Sequence, residues 1–328
     1  MPQVQGMKRA LVIGCRGQDG SYLMELLESK DYEVVGLDSK GCVQKATGSG
    51  CTIAEPGAVD LCNEEQVRKL ISEAQPGEIY FLAAFHHSSE RAASEPHELM
   101  ERSMAVNALA LNHVLGAVVT FSPGSRVFYA ASSRLFGNAV APLQDELTPY
   151  NPICAYGISK AAGAWVCRYY REELKVHCSV GILYNHESPR RGSNFVSQKI
   201  ARAAVAIKRG SQARLTVGNL DAEVDWGYAP DYVEAMWNIL QAECAGDYVI
   251  ASGALHSVRD FVSTAFGAVG LDWREYVDVD QTILPTRGRP QATLCGDSRK
   301  LRSLTGWQPR ISFEQMVNSM VQAEMARA

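Results

Sequence analysis

The residues whose spacing says most about chemistry are Tyr156 and Lys160, a Tyr-x-x-x-Lys pair opening a long helix-forming stretch. Ser132 and Ser133 precede them at the end of a strand-forming one. A spacing of four puts phenol and ammonium on one helical face. A Lys cation beside the Tyr, joined by a second positive group bound in the site, is expected to lower the phenol's pKa until it exchanges a proton with a hydroxyl near neutral pH. The Ser132 hydroxyl shares that hydrogen bond. By itself such a pair is equally well a lysine stem lying along its helix. A second motif separates the two readings.

That motif is GCRGQDG, with Gly14, Gly17 and Gly20 spaced G-x-x-G-x-x-G between a strand and a helix. Glycines let the backbone approach a pyrophosphate closely, and the helix N-terminus offers free N–H groups and a positive dipole end. Gln18 and Asp19 in the turn, with Ala83 and Ala84 closing a later strand, join the expected cofactor contacts. Asp38 closes the second strand, where a carboxylate accepts hydrogen bonds from the adenosine ribose and repels a 2′-phosphate; NAD is favoured over NADP. Arg16 and Lys40 lie close by and are the cations that speak for a phosphate. Asp60 and Leu61, after a third short strand, fit a loop touching the adenine.

The elements that must position these groups alternate. Strand-like runs at 10–14, 33–38, 78–84, 125–132 and 177–184 are separated by amphipathic or apolar helical stretches such as EEQVRKLISEA, MAVNALALNHVLGAVV and SKAAGAWVCRYYREEL. A further helix, DYVEAMWNILQA, and strand, DYVIAS, follow. Short apolar strands between helices predict an α/β, Rossmann-type doubly wound parallel sheet, with a smaller mixed α/β lobe for substrate over its carboxyl edge. Residues 7–184 with 225–252 are assigned to the dinucleotide-binding domain, and 185–224 with 253–328 to the substrate lobe.

The 328 residues, 46% hydrophobic, suffice for one large core or two unequal ones. A net charge of −4 with interspersed signs provides no basic stripe for nucleic acid and no polybasic membrane anchor. No apolar run approaches the roughly 20 residues that cross a bilayer, and the N-terminus lacks a signal peptide's apolar stretch, so the cytoplasm is expected. Nine cysteines without a CxxC pair read as reduced thiols, mostly small core residues, and no metal site is expected.

A closer resemblance runs through GQDGSYL (17–23), LAA (82–84), YNHESPRRGSNFV (184–196), GNLDAEVDWGYAPDYVEAMW (218–237), DYVIASG (247–253), SVRDF (257–261) and GWQPRISFEQMV (306–317). These strings resemble GDP-mannose 4,6-dehydratases, extended short-chain dehydrogenases that oxidise a nucleotide sugar at C4. The resemblance implies that Ser132, Tyr156 and Lys160 are the catalytic Ser/Thr, Tyr and Lys. It places Asn185, Arg191, Val196, Lys199, Asn219 and Arg289 around a nucleotide-diphosphate sugar, with His87, Ser133 and Arg134 completing the substrate contacts. It also implies a homodimer through two long helices, or a tetramer.

The departures from that pattern are specific. Arg134 stands where the family carries a Glu that takes the C5 proton and helps expel the C6 hydroxyl, and a guanidinium cannot do this. Val224 replaces an Arg expected at the diphosphate, Ala292 a ribose-binding Glu, and Phe85 and His86 a Gln-Ser pair; SKGCVQKATG replaces an Arg-rich segment. Without the Glu, reversible hydride transfer at C4 remains, and the leading expectation is an NDP-sugar 4-epimerase, acting on a hexose or heptose with retained NAD. The alternatives are a GDP-mannose 4,6-dehydratase, in which another carboxylate or a water held by Arg134 replaces the base, an NDP-4-keto-sugar reductase, and a catalytically silent NAD-binding sensor.

Overall fold

The computed structural model describes residues 8–39, 41–45, 59–85, 95–280, 282 and 292–327. Strands β1 (Arg9–Ile13), β2 (Glu33–Asp38), β3 (Gly41–Lys45), β4 (Glu78–Phe81), β5 (Arg126–Ala130), β6 (His177–Leu183) and, later in the chain, Asp247–Ile250 form one sheet. Its order is 247–250, β6, β5, β4, β1, β2, β3, and every pairing is parallel except that of β3. The strand order reverses about β1, the switch point at which open α/β sheets bind ligands. The one antiparallel edge strand arises because residues 38–41 turn straight back, Asp38 facing Gly41, with no room for a crossover helix.

Helix α1 (Gln18–Ser29) covers one face of this sheet. The other carries α2 (Glu64–Ala74), α3 (Pro96–Met104), α4 (Ala110–Phe121) and α5 (Ala155–Glu173), with a π-helical turn, Ala105–Leu109, joining α3 to α4. β7 (Asn185–Glu187), α6 (Val196–Lys208), β8 (Leu215–Val217) and β9 (Glu223–Tyr228) follow. Then come α7 (Ala229–Gln241), β10 (the Asp247–Ile250 strand), β11 (Leu255–Ser257), α8 (Val258–Gly267), β12 (Val277–Val279), α9 (Arg299–Thr305) and α10 (Phe313–Arg327). α7 packs beside α1. Outside the main sheet, β7, β9 and β11 form a three-stranded sheet and β8 pairs with β12. Their core is separate, with Trp226, Phe261, Phe266 and Met320 buried between α6, α8 and α10.

The continuous helical run 96–121 is long and apolar enough to cross a membrane, against the sequence expectation that no such run exists. Its apolar half has a different use: Leu111, Val114, Leu115 and Val118 on α4 are fully buried against the sheet. α5 lies unusually close to β5, because a Cβ at Gly163 would sit 2.3 Å from the Tyr129 Oη and 2.8 Å from the Asn107 carbonyl. Of the seven described free cysteines, Cys15, Cys167, Cys178 and Cys295 are buried and three are exposed, so small core packing accounts for just over half.

Candidate active site

Parallel register aligns the strand ends. Ile13 pairs with Leu37 and Phe81, Phe81 with Tyr129, and Ala130 with Gly181, so the segments that follow all leave from one edge. Gly14 turns there with φ 98°, and its missing Cβ leaves room for the Ala83 amide, which a side chain would meet at 2.8 Å. Gly20 packs against the same turn; a Cβ there would lie 2.2 Å from the Gly14 carbonyl. Gly17 caps α1 with no side chain on the helix's first N–H groups. A close glycine backbone beneath unsatisfied helix amides fits a pyrophosphate.

Asp38 ends β2 as expected, with its carboxylate 3.3 Å from Arg16 Nη1. Arg16 is thus already engaged by the acidic side chain expected at the ribose. Asp60 shapes the entry to α2, accepting from the Cys62 amide at 2.9 Å, while the Leu61 carbonyl meets His113 Nδ1 at 3.1 Å. Ala84 is exposed and Ala83 partly so. Lys40, His86, His87 and Arg289 lie outside the described residues, as do residues 46–58, where a strand leading directly into Asp60 would fall.

On α5, Tyr156 hydrogen-bonds the Ser132 side chain, and Lys160 Nζ donates to the Ala130 carbonyl at 2.7 Å, 5.8 Å from the Tyr156 ring centroid. Burial pushes the phenol up to about 12, with Asp19 adding to the rise and Ser132 and Arg191 opposing it. Burial pushes the ammonium down to about 7. The expected lowering of the phenol's pKa is therefore corrected for the cofactor-free protein: Lys160 is turned onto a backbone carbonyl, and desolvation outweighs what charge it keeps.

Sequence reasoning missed Asn107. Fully buried in the π-turn, it donates to Ser159 Oγ at 2.9 Å, accepts from the Phe85 amide at 2.9 Å, and receives the Tyr129 hydroxyl on its carbonyl at 2.8 Å. It ties the end of β4 to α5 one residue before Lys160. An Asn inside an apolar helical run, which also holds Asn112, was the available signal.

Ser133 is buried, and Arg134 is exposed on a one-turn 3-10 helix whose Arg134 amide donates to Ser132 Oγ at 3.3 Å. Gly157 admits that turn, since a Cβ would lie 2.5 Å from the Arg134 carbonyl. Arg191 stacks its guanidinium 3.5 Å above the Phe195 ring and lies 2.9 Å from Glu187 Oε2 as a charge pair without hydrogen-bond alignment. It acts electrostatically on both Tyr156 and Asp19. Asn185 and Val196 are exposed and Lys199 partly buried, on β7 and the first turns of α6. Exposed Asn219 accepts from the Asp221 amide at 2.9 Å. Val224 packs against the small core, and the Ala292 amide donates to Asn138 Oδ1 at 3.2 Å. No group of His, Cys, Asp and Glu able to hold a metal occurs among the described residues.

His186 was also missed as a functional group. Its Nδ1 lies 2.7 Å from the Tyr184 carbonyl and its Nε2 2.9 Å from Asp19 Oδ2, and its ring stacks on Tyr232 at 4.6 Å. Both neighbours are acceptors, and both are satisfied only when each ring nitrogen carries a proton, so the site favours the imidazolium. Burial opposes that charge, but Asp19 overrides it and the His186 pKa is raised. Burial likewise opposes the Asp19 carboxylate, and His186 with Arg191 holds it below its ordinary 3.8.

The signs give a window. A raised His pKa contributes stability below the ordinary 6.5 that is lost as pH climbs through the folded value. A lowered Asp pKa contributes stability above 3.8 that is lost as pH falls through its folded value. The melting temperature of wild type minus that of His186→Gln is therefore expected to be largest between about 4 and 6.5 and to shrink on the alkaline side. A difference that grew with pH above 7 would contradict the imidazolium.

A doubly wound sheet with a glycine turn and a Ser-Tyr-Lys site on its carboxyl edge defines the extended short-chain dehydrogenase/reductase class. The solved structures agree on the fold. The RMD protein of Pseudomonas aeruginosa complexed with NADPH superposes with a TM-score of 0.81 at 22% identity, covering 98% of this chain and 100% of that one. UDP-glucose 4-epimerase of Thermus thermophilus complexed with NAD gives 0.76 at 22%, over 98% and 100%.

The GDP-mannose 4,6 dehydratase family model matches residues 11–320. GDP-mannose 4,6 dehydratase 2 of Arabidopsis thaliana is 39% identical over 99% of this chain and 89% of its own length. The human GDP-mannose 4,6 dehydratase is 36% identical over 96% and 91%, and that of Vibrio cholerae 32% over 98% and 94%. The chain belongs to the GDP-mannose 4,6-dehydratase family of extended short-chain dehydrogenase enzymes. That membership overturns the leading 4-epimerase expectation, which rested on Arg134 and the departures around it: a few changed positions do not outweigh a match running through both the cofactor edge and the substrate lobe.

Proposed function

We propose that this protein is a GDP-mannose 4,6-dehydratase that uses a retained NAD. The observation that carries the reading is the family match through residues 11–320, joined to the Tyr156–Ser132 hydrogen bond at the sheet's carboxyl edge. Gly14, Gly17, Gly20, Gln18, Asp19 and Ala83 would hold the dinucleotide, and Asp38 at the ribose favours NAD. The bound cofactor would supply the hydride acceptor and a positive ring beside the phenol.

Tyr156 takes the C4 hydroxyl proton while Ser132 holds that oxygen. The C4 carbonyl then acidifies C5–H, and loss of that proton with the C6 hydroxyl releases water. Arg134, beside Ser132, is a fixed cation that stabilises the enolate and holds a water through which the C5 proton passes to the departing C6 hydroxyl. Hydride returned to C6 and a proton to C5 complete a 4-keto-6-deoxy sugar, leaving the cofactor as it began. Asn185, Arg191, Val196, Lys199 and Asn219 on the small lobe line the nucleotide-sugar site. Residues 7–184 with α7 and β10 serve the cofactor and 185–228 with 253–328 the substrate, a correction to the expected boundary at 225 because β9 joins the small sheet and buries Trp226 in its core.

The test is a panel of sugar nucleotides. GDP-mannose is expected to give a 4-keto-6-deoxy product, with UDP-glucose and dTDP-glucose unchanged; a panel in which GDP-mannose stays intact contradicts the reading. Replacement of Arg134 by Ala is expected to slow water loss roughly a hundredfold while C4 hydride exchange continues.

A homodimer in the cytoplasm completes the reading. Ile158, Trp165 and Tyr169 make an exposed apolar stripe along α5, of a kind that packs against a second copy. Replacing Trp165 by Glu is expected to shift the protein to monomer in sedimentation velocity; an unshifted boundary would place the interface elsewhere.

A further inference from the structure

The segment that leaves β6 for the small sheet does not merely pass α1. It is fastened along one face of it. Gln18 Nε2 donates to the His186 carbonyl at 3.0 Å, Ser188 Oγ donates to Gln18 Oε1 at 2.9 Å, and the His186 imidazolium faces Asp19. One to two turns further on, Arg190 Nη1 donates to Ser21 Oγ at 3.1 Å and Nη2 to Glu25 Oε1 at 2.7 Å. Its guanidinium lies 4.0 Å over the Tyr22 ring. Positions 18, 21, 22 and 25 share one helical face. The inner end of this strap is buried and fully hydrogen-bonded, whereas the Arg190–Glu25 end is solvent-exposed.

The helix being gripped is the one whose N-terminus lies over the glycine turn. The strap starts from the β6 end of the same carboxyl edge and lies directly on the N-terminal turns of α1, beside the glycine turn where a dinucleotide would approach. We propose that Arg190 is a positioning residue that latches this strap to α1 and so retains the dinucleotide between turnovers, without touching it. A 4,6-dehydration that returns its own hydride requires such retention, because a cofactor lost after C4 oxidation strands the sugar as a ketone. The proposal rests on the dinucleotide reading of the glycine turn.

The test uses NADH fluorescence on the full-length protein, with release followed after a chase of excess unlabelled NAD. Arg190→Glu and Glu25→Arg singly are expected to speed release about three- to tenfold, and the double exchange to return it to within about twofold of wild type. Melting temperatures of the cofactor-free proteins are measured in parallel. A latch of purely structural use would lower these and leave release unchanged, which overturns the proposal. Singles that release NADH at the wild-type rate, or a double exchange that fails to restore it, overturn it as well. Wild-type protein that binds no NADH would remove the dinucleotide reading and the latch together.

Discussion

Replacing Tyr156 by Phe is expected to lower kcat on GDP-mannose roughly a hundred- to ten-thousandfold, with cofactor content and melting temperature near those of wild type. The substitution removes one oxygen and no packing volume. That oxygen is the group bonded to Ser132, and its pKa of about 12 keeps it protonated across the neutral range in the cofactor-free protein. It is thus poised as a donor, and becomes an acceptor only beside a bound positive ring. Steady-state kinetics with a coupled assay for the 4-keto product measures the loss. A Tyr156→Phe protein with more than a tenth of wild-type kcat would remove the phenol from the proton path.

Replacing Lys160 by Met is expected to divide the two functions of that residue, reducing activity by at least about a hundredfold while making the cofactor-free protein more stable at pH 7. Lys160 is fully buried and its folded pKa of about 7 lies well under the ordinary 10.5. Between those values the unfolded chain binds a proton the folded chain does not, so stability from this group rises with pH. The cost of holding the lysine is complete below pH 7 and vanishes above about 10.5. That cost is of order a few kcal/mol, partly offset in the variant by the orphaned Ala130 carbonyl, about 1–3 kcal/mol. The melting-temperature advantage of Lys160→Met should shrink as pH rises from 7 towards 10. An advantage absent at pH 7, or constant with pH, would contradict a desolvated ammonium.

Much of this was legible in the sequence because it rests on local rules. Alternating apolar runs and helices announce a doubly wound sheet, three glycines between a strand and a helix announce a close backbone approach, and a Tyr and Lys four apart share a face. What was illegible depends on distant partners. β3 is absent from the strand-like runs, because a short GCVQK stretch carries no sign that the chain pairs back antiparallel on β2. Asn107 matters because a π-turn brings its side chain to Ser159 and the Phe85 amide, residues far from it in the chain. His186 becomes a cation only through Asp19, 167 residues away. Spacing also places Lys160 beside the phenol without revealing that, in the cofactor-free protein, its Nζ bonds the Ala130 carbonyl and burial raises the phenol's pKa. Arg134 taught the opposite lesson, since it and the other departures, at Val224, Ala292, Phe85 and His86 and in SKGCVQKATG, suggested a reaction that the rest of the family pattern does not support.

The most direct measurement follows the hydride. GDP-mannose deuterated at C4 is incubated with the wild-type enzyme without added cofactor, and the product is read by NMR and mass spectrometry. Loss of water, with the deuterium found at C6, is the expected result. A product of unchanged mass with the deuterium still at C4 and that centre inverted, or a 4-keto sugar whose deuterium has left with free cofactor, would contradict retained-hydride dehydration.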